Sequence, residues 1–548
     1  MHSDPLRGQE RSAVSEAQIE TPQAPAKPSR AYANYVLAVL VLVYVFNFID
    51  RQILSILAED LKADLGLTDA SIGFLYGTAF AVFYAIFGIP LGRLADVWVR
   101  KSLISIGLFF WSAMTALSGT AGSFGSLAAY RIGVGIGESS ASPAAFSMLG
   151  DYFPPRLRAT AVSIYSSGVY IGSGIGIFLG GLIVDNWNES FPDRAQAPFG
   201  LVGWQAAFFA VGIPGLLMSL WVWTLREPVR GASEGIVNKK TPPVSPVPFL
   251  LKEMAAVLPG FALINLVRLG GSAAVVRNLA IGGACALGAW GLIVLLGTPA
   301  QWIALAIGLY SFFSWLQGLA YTDRPAFTMI YKSRAIVYGM VGFAWLAFVG
   351  YGIGFWAPPY FQRVHGVSAS QAGTILGLSA AIGGWLGVSL GGIFSDLLRQ
   401  RHPKARPWMG IVTALLSIPS GYLLVTAESV NTAYVANFFF QLLSPMWIGS
   451  AVALSNELVM PRMRASASAF YILAVTFIGL ALGPYTIGQI SDRLSVSGRG
   501  SGDALASALL ASLLAYGLAI AFLFLSSRSV VDEEENRLAR AEAAGEGV

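Results

Sequence analysis

The sequence predicts an all-α membrane protein with two six-helix halves related by a pseudo-twofold axis along the membrane normal, and an extra helix pair between them. Composition is the first reason. Of 548 residues 55% are hydrophobic and 12% are charged, against about 25% charged in an ordinary soluble domain. A soluble globule so composed would expose far too much apolar surface. The second reason is a series of apolar runs near the roughly 20 residues that cross a bilayer as a helix. The third is repetition. Gly92-Arg93-Leu94-Ala95-Asp96 returns 300 positions on as Gly392-Ile393-Phe394-Ser395-Asp396. Pro155-Arg156-Leu157-Arg158-Ala159 returns 306 positions on as Pro461-Arg462-Met463-Arg464-Ala465. Parallel duplication is an architecture of secondary transporters, whose halves rock about a midplane site. The expected activity is movement of a small molecule across a membrane.

The elements follow in order. Residues 1–32 open with a polar stretch rich in Pro, Ala, Gln and Glu; with no apolar core they read as a disordered cytoplasmic tail, not a signal peptide. The N-terminal half, 33–225, holds spans at 33–57, 71–95, 102–121, 125–151, 158–184 and 202–225. A linker at 226–333 contains the breaker-rich stretch Thr241-Pro242-Pro243-Val244-Ser245-Pro246, which is not helical throughout. Within it 279–297 and 300–320 are apolar enough to span, turning at Thr298-Pro299. Length and hydropathy favour an inserted spanning hairpin; the alternative is a pair of interfacial helices. The C-terminal half, 334–527, holds spans at 334–358, 369–397, 407–427, 430–457, 464–490 and 504–527. Residues 528–548 form a cytoplasmic tail, read as a solvated helix or disordered end.

The net charge of +5 is distributed over short loops and forms no nucleic-acid patch. Alternate loops carry Arg93, Arg100 and Lys101; Arg156 and Arg158; Arg226, Arg230, Lys239 and Lys240; Arg399, Arg401, Lys404 and Arg406; and Arg462 and Arg464. By the positive-inside rule both termini are cytoplasmic, in a multi-pass protein of the plasma (inner) membrane. Cys285 is the single cysteine, so no intrachain disulfide or zinc knuckle is available.

Ionisable residues at membrane depth cost about 2.5–3.5 kcal/mol on insertion scales and are functional candidates by default. The first span carries Asp50 and Arg51, and the fourth carries Arg131 and Glu138. In the second half acids stand only at span ends, at Asp396, Glu457 and Asp492. Arg131 and Glu138, seven residues apart, share a helix face about 10 Å apart along the axis. Gly133, Gly135 and Gly137 between them admit a close neighbour helix. A carboxylate near a mobile arginine can alternate between proton-bound and ionised states. Asp50 is therefore the expected principal proton carrier, Glu138 the second acid and Arg131 the switch. The bland alternative is a static buried network that fixes packing. His2, His365 and His402 lie in tails or loops, so any relay at depth uses carboxylates.

No GxxxxGK[ST] loop argues for an ATP-driven pump, and no HExxH or metal-spaced cluster calls for a metal. No cofactor is expected. Ser139, Ser140 and Ser142 have no histidine at membrane depth to activate them. The series Gly172, Gly174, Gly176, Gly180 and Gly181 reads as helix-packing positions, not a nucleotide loop.

Gly92, Leu94, Asp96, Arg100 and Lys101 resemble the loop motif G-x-L-a-D-r-x-G-r-k between helices 2 and 3 of the major facilitator superfamily, with departures at Val97 and Val99. Arg131, Gly135 and Gly137 resemble its helix 4 motif, associated with proton coupling. Within that superfamily Asn47-Phe48-Ile49-Asp50-Arg51, with Arg131 and Gly137-Glu138-Ser139, is similar to the Spinster branch of lysolipid and sphingosine-1-phosphate transporters. The resemblance implies the major facilitator fold and alternating access. It also implies a polar site at Asp50, Arg51, Arg131 and Glu138, with Asn47 beside it, and a cytoplasmic gate of Gly92, Asp96, Arg100, Lys101 and Asp396.

The expected solute is amphiphilic, with its head near Arg51 or Arg131 and its tail along aromatics such as Tyr351, Phe355, Trp356, Phe438, Phe439 and Phe440. Protons, the lipid bilayer and this small solute are the expected partners of a monomeric, non-enzymatic carrier that binds no nucleic acid. The rival readings are an importer of a sugar acid or other small organic anion and a membrane receptor or scaffold with no transport cycle.

Overall fold

The structure, a computed structural model, describes residues 29–231, 233 and 245–546. The expectations placed on His2, Lys239, Lys240 and positions 241–244 lie outside these residues, as does most of the tail 1–32. Every regular element among the described residues is a helix. Thirteen helices are long and apolar enough to cross a membrane. The first half contains α1 (Arg30–Ile56), α2 (Asp69–Val97), α3 (Arg100–Ser118), a broken α4 (Phe124–Glu138 and Ala141–Tyr152), α5 (Pro155–Ser190) and α6 (Gly203–Trp223). Neither piece of α4 is long enough alone, so it is the fourteenth span. The insertion is α7 (Ala262–Leu296) and α8 (Pro299–Thr322). The second half contains α9 (Arg334–His365), α10 (Ala369–Arg399), α11 (Ala405–Thr426), α12 (Val430–Glu457), α13 (Pro461–Val496) and α14 (Ser501–Glu535).

Local chemistry sets the helix ends. The hydroxyls of Ser29, Thr68, Ser123, Ser333, Ser368 and Ser429 each accept a backbone N–H in the first turn that follows, which satisfies donors that have no intrahelical partner. Several helices outrun the apolar windows of the sequence. α9 continues to His365 and α14 to Glu535, because their charged last turns find partners beyond the membrane.

The repeat is visible in side chains. Arg100 ion-pairs with Asp151 and with Glu227, the latter at 2.7 Å. Arg406, 306 residues later, binds Glu457 and Asp396, each at 2.7 Å. Asp151 and Glu457 are themselves 306 apart. Each half thus fastens the ends of its own helices with an arginine at the same place.

The two halves join on the side away from the chain ends. Arg363 of α9 reaches Asp69 of α2 at 2.7 Å and Glu59 at 2.6 Å. Asp492 of α13 accepts the backbone N–H groups of Asp69 and Ala70 at 2.9 and 2.8 Å, a carboxylate set where α2 presents unpaired donors. Gly174 and Gly377 bring α5 and α10 so close that a Cβ on Gly174 would lie 2.5 Å from the Gly377 carbonyl oxygen. Deeper in, the Thr78 hydroxyl donates to the Ala481 carbonyl at 2.8 Å. Between described residues, the hydrogen bonds from one half to the other are confined to this side and the midplane. At the terminal side the halves stand apart, with Ile393, Phe394 and Leu397 about half exposed. The protein is open toward the side that holds its termini.

The insertion stands upright against the second half. Near its far-side turn Arg493 donates to the Leu295 carbonyl at 3.1 Å and Gln489 to the Leu296 carbonyl at 3.2 Å. On the terminal side Asp323, just past α8, pairs with Arg462 at 2.7 Å. The hairpin therefore stands alongside α13 from end to end, with Gly308 of α8 against Phe477 and against Val82 of α2. A short helix, Pro246–Val257, is tied to α2 by Arg93 and Glu253 at 2.7 Å.

The C-terminal segment differs from the solvated end expected of it. Helix Arg537–Ala543 folds back onto the second half. Ala541 is fully buried, Arg537 donates to the Glu457 carbonyl at 2.9 Å, and Glu533 accepts the Ala335 N–H at 3.0 Å. The acids and bases of this tail are spent on the termini of α9 and α12, which is why it is ordered.

Candidate functional site

α4 is where the fold breaks its own regularity. Gly135 and Gly137 let it press on its neighbours: a Cβ on Gly135 would sit 2.5 Å from the Phe80 carbonyl oxygen of α2, and one on Gly137 would sit 2.8 Å from Cβ of Trp111 in α3. Just beyond, Ser139 and Ser140 donate back to the carbonyls of Ile136 and Gly137 at 2.7 and 2.8 Å. Such back-bonding competes with the helical ladder, and the helix is interrupted beside Glu138.

Arg51 Nη2 donates to Glu138 Oε2 at 2.8 Å. Its guanidinium lies 4.1 Å from the ring centre of Phe80, 4.7 Å from Phe48 and 5.6 Å from Tyr84, within the range of cation–π attraction. Arg131 Nη1 donates to the backbone carbonyl of Asp50 at 3.0 Å. Asp50, Arg131 and Glu138 are essentially inaccessible, and Arg51 is 7% exposed. Trp111 and Thr115 lie against the Asp50 carboxyl and Asn47 against Glu138. No cation pairs with the Asp50 carboxyl among the described residues, and Nε and Nη2 of Arg131 and Nε of Arg51 lack a hydrogen-bond partner there. Unpaired polar atoms at such depth each cost about 1–3 kcal/mol.

The structure thus brings together Asn47, Asp50, Arg51, Arg131 and Glu138, with one change of partner. Glu138 is held by Arg51 from the facing helix. The arginine on its own helix, expected as its switch, is about two turns away and engaged on the Asp50 backbone carbonyl. Tyr351 also reaches the cluster, within electrostatic range of Arg51. The remaining aromatics do not line it. Phe355 is fully buried, stacks on Tyr76 at 4.2 Å and accepts Ser55 Oγ at its carbonyl at 2.6 Å. Trp356 is fully buried and donates Nε1 to the Pro484 carbonyl at 2.8 Å. Phe355 thus joins the two halves, and Trp356 fastens α9 to α13 within the second half. Phe439 is 48% exposed with Phe438 as its ring neighbour, and Phe440 is buried against Gly421.

A set of tyrosines overlooked in the sequence takes their place. Tyr44, Tyr84, Tyr170 and Tyr471 each stand within electrostatic reach of Tyr351. Each is partly exposed although it lies inside a span. Tyr44 also stacks on buried Tyr165 at 4.4 Å. A signal was present: tyrosine prefers the wet ends of membrane helices, and these sit well inside them. Opposite the charges the wall is neutral, since 306 residues after Arg131 and Glu138 come Asn437 and Ser444.

The gate residues occupy the terminal side. Arg100 and Lys101 serve their own half, Lys101 through its Nζ on the Trp223 carbonyl at 2.9 Å and its backbone N–H on Glu227 at 3.0 Å. A Cβ on Gly92 would lie 3.8 Å from Pro143. Asp96 is exposed, with Arg230 as its first cationic neighbour, and Asp396 pairs only within its own half. No described hydrogen bond crosses between halves here, as an open gate requires.

A family model described as Major Facilitator Superfamily matches residues 40–484. The chain belongs to the major facilitator superfamily. It is similar to an MFS-type efflux pump of Mycolicibacterium smegmatis, 25% identical over 481 residues that cover 88% of this chain and 89% of that one. It is also similar to the sphingosine-1-phosphate transporter SPNS2 of Danio rerio, 26% identical over 526 residues, 90% and 85% covered. Among solved structures it resembles a bacterial homologue of the human lysosomal transporter Spinster in an inward-facing, unoccupied conformation, with TM-score 0.69, 27% identity, and 92% and 99% of the two chains covered. This superfamily member is a multi-pass membrane transporter with Spinster-like sequence and fold.

Proposed function

We propose that this chain is a proton-coupled secondary transporter of an amphiphilic, lipid-like organic solute, working by alternating access. The observation that carries the reading is the Asp50 carboxyl, fully buried and without an ion pair, while Arg131 beside it is spent on the Asp50 backbone carbonyl. A carboxyl group in that setting is cheaper neutral than charged, so a proton is its natural ligand while it stays buried. The cluster counts two guanidiniums, on Arg51 and Arg131, against two carboxyls. With Asp50 protonated it is left one positive charge in excess. Proton binding and binding of a charged head group then bias one another, with Glu138 as the second acid and the guanidiniums as the head-group contacts.

The tyrosine set supports the amphiphile. Rings that carry both an apolar face and a hydroxyl suit a molecule with a polar head and a hydrocarbon body, and the named activity of the Danio rerio relative is of that class. Basic loops on the terminal side favour cytoplasmic termini and an inner-membrane location, so the open side faces the cytoplasm and Asp96, Arg100 and Asp396 belong to its gate.

The test is reconstitution of the full chain in liposomes with an internal pH-sensitive dye, offered a lysophospholipid, a sphingosine-like amphiphile and a sugar acid in turn. Proton movement with an amphiphile is the expected result. Proton movement with the sugar acid alone makes the chain an organic-anion carrier. No movement with any solute, in vesicles where folded protein is verified, leaves a receptor or scaffold.

A further inference from the structure

The same arginine is treated differently in the two halves. Arg462, near the start of α13, is neutralised by Asp323 at 2.7 Å and by Glu546. Its counterpart 306 residues earlier is Arg156, at the start of α5, and no carboxylate among the described residues meets it. It lines a cavity of about 380 Å3 together with Arg30, the first residue of α1. Both arginine side chains are exposed, and neither has an ion pair or hydrogen bond with a described residue. The cavity's one acid, Asp151, is already committed to Arg100 and to the Gly231 N–H at 2.9 Å. Asn34 and Thr160 add free polar groups at the rim.

Deeper in, the lining turns apolar. Leu37 of α1 and Ile164 of α5 lie about two turns into the span from the arginines, and Ile164 is 46% exposed. A pocket basic at the mouth and hydrocarbon-like below matches a lipid's phosphate and the first carbons of its chains. A soluble anion uses only the first of these features. Clusters of basic residues at the membrane surface are what anionic head groups recognise.

We propose that Arg30 and Arg156 hold the phosphate head of an anionic phospholipid from the leaflet on the terminal side. This site lies at the terminal-side ends of α1 and α5, separate from the central cluster. The bound lipid supplies in the first half the negative charge that Asp323 and Glu546 supply in the second.

The test uses the full chain in detergent and native mass spectrometry with dioleoyl-phosphatidylglycerol and dioleoyl-phosphatidylcholine. At about fivefold per arginine, R30Q/R156Q should weaken phosphatidylglycerol binding roughly 30-fold, leave the phosphatidylcholine signal unchanged and leave the thermal unfolding midpoint in detergent close to wild type. R462Q should not change lipid binding. Equal phosphatidylglycerol binding by wild type and the double variant overturns the proposal. So does displacement of the lipid by inorganic phosphate at equal concentration, which makes this a site for soluble anions. Transport in phosphatidylcholine liposomes should be the same for wild type and R30Q/R156Q, so the outcome is independent of the central carrier mechanism.

Discussion

Two polar clusters lie at membrane depth in this molecule, and they are built on opposite terms. In the inserted hairpin, Asn278 donates to Ser314 at 3.1 Å and to Gln317 at 3.0 Å and accepts the Tyr310 hydroxyl at 2.8 Å; Gln317 in turn donates to the Ala274 carbonyl at 2.8 Å. No side-chain atom of Asn278 or Gln317 is left without a partner. In the central cluster the Asp50 carboxyl has no ion pair, and Arg51 and Arg131 keep guanidinium nitrogens without a partner among the described residues. A satisfied buried network specifies one arrangement, and an unsatisfied one is costly to keep. The hairpin knot is glue. The central cluster holds unused hydrogen-bonding capacity, which is what a site needs if a proton or solute is to complete it.

Substitution on each side of this comparison should separate the two roles. Asp50→Asn in the central cluster carries the largest expected effect. It keeps the shape and removes the titrating proton, so pH-driven transport in proteoliposomes should fall to background while solute exchange or binding persists. If its transport keeps the wild-type pH dependence, Asp50 is not the proton carrier and the central cluster is structural after all. Asn278→Leu in the hairpin should do the reverse. Interhelical hydrogen bonds in membranes are worth about 0.6 kcal/mol on average and up to about 1.7 kcal/mol. The variant should unfold earlier in detergent by an amount of that order and transport at the wild-type rate. A large loss of transport with unchanged stability would make the hairpin a working part.

The same contrast explains what the sequence could tell. Charges at depth are rare, so Asp50, Arg51, Arg131 and Glu138 stood out one by one, and the glycines of α4 announced that its neighbours would come close. Pairing is a different kind of information. Which guanidinium meets Glu138 depends on how α1 and α4 are rotated against each other, and that is set by packing between residues 87 positions apart. Aromatics were misjudged for the same reason. Phe355 and Trp356 look like cavity residues by type, but α9 turns Phe355 against Tyr76 of α2 and Trp356 against Pro484 of α13. The tyrosines left partly exposed around Tyr351 were hidden among 20 tyrosines in the chain, and only their depth in the spans marked them. The hairpin's apolar length was plain; its upright stance beside α13 rests on carbonyls and one ion pair far apart in sequence.

That ion pair gives the smallest and most specific expectation. Arg462 holds the Asp323 carboxyl below the usual carboxylate range through the hydrogen bond at 2.7 Å. A group whose folded value is lowered contributes stability above its unfolded value, about 3.9, and loses it as pH falls through the lower folded value. Because the pair is largely exposed, its worth is about 0.2–1 kcal/mol. Asp323→Asn should therefore lower the unfolding midpoint slightly at pH 7, leave transport unchanged, and make the variant less sensitive than wild type to acidification below about pH 4. Measuring both proteins in detergent from pH 7 to pH 3 tests the point. Parallel curves over that range would mean that the tether adds nothing to the hairpin's hold on α13, leaving the attachment to Gly308 packed on Phe477 and to the far-side carbonyls.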